Sequence, residues 1–275
     1  MENWGGKQTA IKLMILEHYS TMYGRALKNK FHLIYVDCFA GDGKVETKAG
    51  ETFTGSPLRI MELDMFNEYH FIEFDKIKAK NLEKQIPLNK NCTVHCGDMN
   101  ILLPDLLRKR QGRGNRFLIF IDPYGLQPDF QTIEEIKNMK YFDILYLFNL
   151  QALARMMPLD RAMLKKGNEN KLTAFLGGEA GWETAYKEKR QKSLFPNGSE
   201  IERQSNLSHT FLKQYKEKLD SLFPYSDVIY SIKTKGNEFA LIFTMNYPNL
   251  RGTSLAKKFI RESKSIFKRA SLEKH

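Results

Sequence analysis

Residues 32–43 read HLIYVDCFAGDG, a short run of β-formers that ends in an acid, an aromatic ring and two glycines one residue apart. An apolar run this short, closed by glycine, predicts a buried strand and not a helix. Gly41 and Gly43 give the following loop conformations closed to other residues, and they let backbone N–H groups approach a ligand with no Cβ in the way. Helical spacing precedes the strand over 7–28, with Ile11, Ile15, Leu16, Tyr19, Met22 and Tyr23 on one stripe. It resumes over 56–66, where Ser56 reads as an N-cap and Pro57 as a first-turn proline. The same alternation continues downstream. YHFIEFD at 69–75 predicts a strand, 76–85 a helix, TVHC at 93–96 a strand and 99–108 a helix. FLIFI at 117–121 predicts a strand stopped by Asp122-Pro123-Tyr124-Gly125, then come a helix over 130–138 and the strand YFDILYLF at 141–148.

Five apolar strands separated by helices predict a parallel sheet covered on both faces, with right-handed crossovers. In such a sheet the ligand crevice lies outside the carboxyl ends of the strands. The pattern changes after residue 150. Residues 151–204 carry mixed helical spacing and a polar stretch, and read as an insertion or cap. Residues 205–275 read as a helix over 209–222, two β-rich runs at 228–233 and 239–245 joined by TKGNE, and a basic helix over 255–269. The joined runs form a hairpin whose second strand is antiparallel. The whole resembles the Rossmann-like fold of class I S-adenosylmethionine (SAM) methyltransferases. The expected architecture is an α/β, mostly parallel seven-strand sheet with a C-terminal antiparallel hairpin and a helical insertion. Residues 1–150 would be the first part of its core.

The charge is uneven. The 275 residues hold 43 Lys+Arg and 32 Asp+Glu, a net +11. Residues 1–150 contain 20 basic and 19 acidic side chains, and residues 151–275 contain 23 and 13. A neutral half joined to a basic half points to a polyanionic partner read by the second half. Lys257, Lys258, Arg261, Lys264 and Lys268 of the last helix are the candidate phosphate contacts. No apolar run approaches the ~20 residues of a membrane span, and residues 1–12 lack the pattern of a signal peptide. Three cysteines, Cys38, Cys92 and Cys96, argue against a disulfide framework and for a reducing cytoplasm. Cys92 and Cys96 flank a strand at a spacing unlike that of a zinc site, so no metal is expected there.

The residues that carry chemistry follow the strand ends. Gly41-x-Gly43 lacks the third glycine of a dinucleotide loop, and Asp37 on the strand side would repel a pyrophosphate. The spacing D-x-F-x-G-x-G, from Asp37 through Phe39, Gly41 and Gly43, resembles the SAM-binding loop of methyltransferases. Glu73 ends the second strand, where a carboxylate can accept from ribose hydroxyls, with Asp75 as its alternate. Asp98 ends the third strand and can accept from an adenine amine. Asp122, Pro123 and Tyr124 follow the fourth. A carboxylate and a carbonyl there can hold an exocyclic amine, and an aromatic ring can stack on its base. The loop has one proline and an early aromatic, which resembles the proline–aromatic–glycine loop of tRNA guanine N2-methyltransferases.

Longer matches join these loops: Trp4 and Lys7, DCFAGDG at 37–43, GSPL at 55–58, FIEFD at 71–75, GDMN at 97–100, FIDPYG at 120–125 and FNLQALAR at 148–155. Together with the C-terminal hairpin they resemble the three-Cys-motif partner proteins over nearly the whole chain. That resemblance implies a class I methyltransferase-like fold and a partner, encoded nearby, that bears the three-cysteine motif. It also implies possible site roles for Ser56 and Asn100. The expected activity is SAM-dependent methylation of nucleic acid at a base amine. One rival is a non-catalytic subunit that binds nucleic acid or docks the partner. The other is a metal-dependent nuclease in which Asp37, Asp98 and Asp122 converge.

Overall fold

The computed structural model describes residues 7–46, 52–188, 201–203, 207–234, 237–247 and 250–272. Trp4, the hairpin turn at 235–236 and most of the polar stretch 197–208 lie outside the described residues. Seven strands form the main sheet: β1 (His32–Asp37), β4 (Glu68–Glu73), β5 (Cys92–Cys96), β6 (Asn115–Ile121), β7 (Phe142–Phe148), β10 (Tyr225–Thr234) and β11 (Asn237–Asn246). Their order is β10-β11-β7-β6-β1-β4-β5. The pairs from β7 to β5 are parallel, and β11 runs antiparallel to both β7 and β10. This is the Rossmann-like, class I methyltransferase-like arrangement expected from the sequence.

Two short antiparallel pairs stand apart from it. β2 (Lys44–Glu46) pairs with β3 (Thr52–Thr54), and β8 (Tyr186–Glu188) with β9 (Ile201–Arg203). At three residues each they are too short to show an alternating pattern in sequence.

Alternate residues of each central strand face opposite sides, so the sheet builds two cores. One holds Leu33, Tyr35, Leu118 and Phe120 against helices α1 (Lys7–Leu27), α2 (Ser56–Glu62) and α10 (Leu250–Leu272). The other holds Ile34, Val36, Ile119 and Ile121 against α4 (Met99–Arg110), α5 (Phe130–Ile136) and α9 (Leu207–Leu222). Helix α3 (Lys76–Glu83) packs beside β4 and β5. The segment after β7 folds as α6 (Leu150–Met156), a 3-10 turn at Arg161–Met163, α7 (Lys166–Leu176) and α8 (Ala180–Glu183). Leu153, Met157, Leu164, Leu172, Phe175 and Trp182 carry it into the second core.

Helix α2 stops four residues short of the predicted end. Asp64 turns into the left-handed region (φ 52°) and Phe66 leaves the helix to join Tyr23, Tyr35 and Tyr69 in an aromatic cluster. The N-cap of α2 is Gly55, and it makes no side-chain cap bond. The expectation of a Ser56 cap is therefore wrong, and the Ser56 hydroxyl is used elsewhere.

One buried acid has a consequence for stability. Asp143, the second residue of β7, accepts from the Tyr19 hydroxyl at 2.7 Å, while its other oxygen finds no partner among the described residues. Burial pushes its carboxyl up to about 7, only partly offset by Tyr19. The folded state thus keeps a proton that the unfolded chain loses near pH 4. Stability from this group is full below that pH and is lost as the pH rises through about 7. Asp143→Asn should flatten the fall in melting temperature between pH 5 and 8 by roughly 5–10 °C, the effect of ~2–3 kcal/mol in a domain of this size. Thermal denaturation across that range checks it, and an unchanged slope would mean that Asp143 titrates as an ordinary surface acid.

Candidate active site

The predicted residues gather at the carboxyl ends of β1, β4, β5 and β6. In the loop after β1, Gly41 (φ +63°) and Gly43 (φ +82°) both use the left-handed region that favours glycine. A Cβ at Gly43 would sit 2.9 Å from Leu58, so this glycine packs closely on α2. A Cβ at Gly41 would meet nothing within 4 Å, so the loop faces open space there. That opening is a cradle into which a ligand can approach the backbone.

Glu73 shapes the cradle. Its carboxylate accepts from the Gly41 N–H at 2.8 Å and from the Asp75 N–H at 2.8 Å, one on each oxygen. Each oxygen keeps a second lone pair for a hydroxyl donor. Asp75 is not the alternate to Glu73 that its spacing predicts. It caps α3, accepting from the Ile77 and Lys78 N–H groups, and this holds its carboxyl below the usual range. Asp98 likewise caps α4 through one oxygen, with the Asn100 N–H at 2.8 Å. The Asn100 side chain accepts from the Asp129 N–H and the Thr132 hydroxyl, which ties the start of α4 to that of α5. Partial burial, then the charge of Asp98, raises the Asp129 carboxyl above its ordinary value.

Asp37 differs most from expectation. It has no exposed surface, so in this geometry it offers a ligand no direct contact. Its oxygens take the Ser56 hydroxyl at 2.7 Å, the Phe39 N–H at 3.2 Å and the Tyr35 hydroxyl at 3.4 Å. Burial pushes its carboxyl up to about 7 in spite of Ser56 and Phe39. Asp37 thus acts on the site by fixing the loop. The Phe39 ring packs against the second core, and only the backbone of Phe39 serves the loop directly.

The loop after β6 places Asp122 and Tyr124 differently. Asp122 forms an ion pair with Lys12 of α1, and both side chains are largely buried. Pro123 is buried behind it. Tyr124 is 87% exposed, its carbonyl accepts from Asn149 at 3.3 Å, and Lys78 lies 5.4 Å from its ring centre. The sequence reading missed Lys12. The signal was its place on α1, where positions 12, 16, 19 and 23 share one stripe otherwise filled by Leu16, Tyr19 and Tyr23. A cation within an apolar stripe needs a buried partner.

The five cations of α10 that the sequence singles out do not converge on this end. Lys257 lies 5.2 Å from the Tyr225 ring centre. Tyr225 pairs with Met245, and Met245 with Asp143 at the start of β7, so Lys257 sits at the opposite end of the sheet. Lys258 directly follows Lys257 and Arg261 lies one turn on, both exposed, and Lys264 is taken by Asp227 at 2.7 Å. Phe267 stacks on Tyr230, which pairs with Leu241 and so lies level with Leu147 near the carboxyl end of β7. Only Lys268 of the five therefore nears the crevice end, about 16 Å along the helix from Lys257.

Asp37, Asp98 and Asp122 are each engaged separately. Among the described residues, no three His, Cys, Asp or Glu side chains are arranged to hold a metal ion. No helix among the described residues is long and apolar enough to cross a membrane.

Comparison with known proteins places the fold. No family model and no curated protein matches the chain in sequence. In structure it is similar to protein LPL1258 from Legionella pneumophila, at 15% identity and a TM-score of 0.52, over 94% of this chain and 91% of that one. Weaker likenesses include Trm1 from Pyrococcus horikoshii with SAM (11% identity, TM-score 0.48, 92% of this chain and 59% of that one). Human methyltransferase-like protein 13 in complex with S-adenosylhomocysteine (SAH) is another (11%, 0.46, 94% and 90%). At such identities the likeness is one of fold alone.

The Asp37–Ser56 contact is testable. Removing the hydroxyl leaves a fully buried carboxylate short of its closest donor, a loss of about 1–3 kcal/mol. Ser56→Ala should lower unfolding free energy by that amount at pH 8, where Asp37 is mostly ionised. Asp37→Asn in the same background should recover part of it. Urea denaturation reads both, and a Ser56→Ala variant as stable as the wild type would remove Asp37 as the anchor.

Proposed function

We propose that this chain is a SAM-dependent methyltransferase acting on nucleic acid at an exocyclic base amine. The observation that carries the reading is the pairing of the Glu73-anchored, open glycine cradle after β1 with the Asp122–Tyr124 loop after the adjacent β6. Gly41 would present backbone to the cofactor while Gly43 packs the loop onto α2, Glu73 would accept from its ribose hydroxyls, and Asp98 would accept from its adenine amine. The cofactor, when bound, supplies an electrophilic methyl group that leaves with its sulfur–carbon bond broken. Asp122 would accept an N–H of the acceptor amine, which favours the geometry in which the nitrogen lone pair is free. Tyr124, exposed at the mouth, would stack on the base. The resemblance of the sequence to the three-Cys-motif partner proteins supports a further part of the reading. The chain would belong to that family, work in the cytoplasm and act with a three-cysteine-motif protein encoded nearby.

Titration calorimetry with SAM tests the cofactor site. Binding should be measurable, and Glu73→Ala should weaken it roughly tenfold or more, the loss of one charge-assisted hydrogen bond. Absence of heat with both SAM and SAH would refute the reading. Incubation with methyl-labelled SAM and mixed tRNA, rRNA and DNA, with and without the partner, then tests transfer. Labelled nucleic acid supports the enzyme, and cofactor binding with no label under any condition favours the non-catalytic subunit.

The placement of α10 gives a second expectation. Lys268→Glu should weaken nucleic-acid binding and flatten its salt dependence, while Lys257→Glu at the far end should change the slope much less. Filter binding over a salt series reads both variants, and equal effects would argue that nucleic acid runs along the whole helix.

A further inference from the structure

The Lys12–Asp122 ion pair is an unusual thing to find at an acceptor loop. Lys12 comes from α1, 110 positions away in sequence, and only 14% of its side chain and 21% of that of Asp122 are exposed. A pair this far out of water is not held by surface electrostatics alone, and removing one partner leaves the other uncompensated. Asp37 lies nearby, and both Asp122 and Lys12 influence its carboxyl. The pair makes the acceptor end electrically neutral where the sequence alone places a bare acid.

We propose that Lys12 is a positioning residue for methyl transfer, holding Asp122 in place and cancelling its charge toward the cofactor's sulfonium. The inference rests on the SAM reading above. A bare carboxylate at this end would attract the positive sulfonium of SAM and do nothing for the neutral thioether of SAH. That attraction stabilises the ground state, and it fades as the sulfonium charge is lost in the transition state, so it slows transfer. Pairing with Lys12 removes it and leaves Asp122 free lone pairs for an acceptor N–H. The Lys12 ammonium also retains donors beyond the one given to Asp122. An acceptor edge with an N–H beside a carbonyl or ring nitrogen, the pattern of a nucleobase amine, matches such a pair better than a lone hydroxyl or thiol does.

The test compares affinities for SAM and SAH by calorimetry, and so needs no acceptor substrate. Lys12→Met uncovers the Asp122 carboxylate and should shift the SAM-to-SAH preference toward SAM by roughly tenfold. Asp122→Asn uncovers the ammonium and should shift it toward SAH by a similar factor. Lys12→Arg keeps the charge and should behave as the wild type. The two opposite shifts are a signature that loss of packing cannot produce, and Asp122→Asn keeps the test open if Lys12→Met folds poorly. A preference that stays within twofold of wild type in both charge-changing variants overturns the role of Lys12 and leaves the cofactor site intact. Failure of the wild type to bind either ligand overturns the cofactor reading, and this inference with it.

Discussion

Two carboxylates at the ends of neighbouring strands take the backbone N–H groups of the loop after β1, and the site depends on them. Asp37 is wholly enclosed, so it needs donors, and it draws them from Phe39, Ser56 and Tyr35. Those bonds fix the start of the loop and bring α2 against it. Glu73 then reaches across from β4 to the Gly41 N–H and sets the height of the loop above the sheet. The Gly55 N–H donates to the Gly43 carbonyl at 2.7 Å and closes the far side. No part of this arrangement needs a ligand. The bonds that hold the cradle are made within the chain, and a loop held by its own hydrogen bonds costs less ordering when a ligand binds.

The sheet also decides where charge can act. The hairpin of β10 and β11 pairs three residues beyond the level of Phe148, so its strands project past the crevice end of the sheet. Helix α10 starts at the other end and climbs toward this one along the same face as α1. The segment from α6 to α8 lies on the opposite face, packed into the second core. Among the described residues, the basic side chains of 151–275 are therefore spread over two faces and both ends, and those near the carboxyl end of α10 lie nearest the crevice. Composition measures the charge of a segment, and topology determines which fraction of it faces one ligand.

The fold was legible in the sequence because alternation of strand and helix is a local signal. Each of the five apolar runs carries its own boundaries in glycine, proline or acid. The hairpin was legible for the same reason. Glu73 and the glycines were legible too, since a residue at a strand end is placed by the strand. What escaped was how far each acid is enclosed. Asp37, Asp75 and Asp98 all follow strands, and spacing alone cannot tell a buried anchor from a helix cap or a ligand contact. That distinction depends on Ser56, on the N-termini of α3 and α4, and on the depth of the sheet. Lys12 was invisible to motif reading because its partner is 110 residues away. The five candidate lysines and arginines of α10 read as one patch because a helix keeps its length hidden when only its charge is counted.

The loop after β6 is held from two directions, and this constrains what can enter. Lys12 reaches Asp122 from α1, and Lys78 reaches the Tyr124 ring from α3. Helix α3 follows β4, which is separated from β6 by β1, so the Lys78 contact crosses the mouth above the glycine loop. A base that stacks on Tyr124 must share its ring with Lys78 or displace it, and a displaced ammonium at the mouth is free to meet a phosphate. On the reading proposed above, an aromatic acceptor stacked on Tyr124 fits such a mouth, and a polyanion attached to it would satisfy the cation that it displaces.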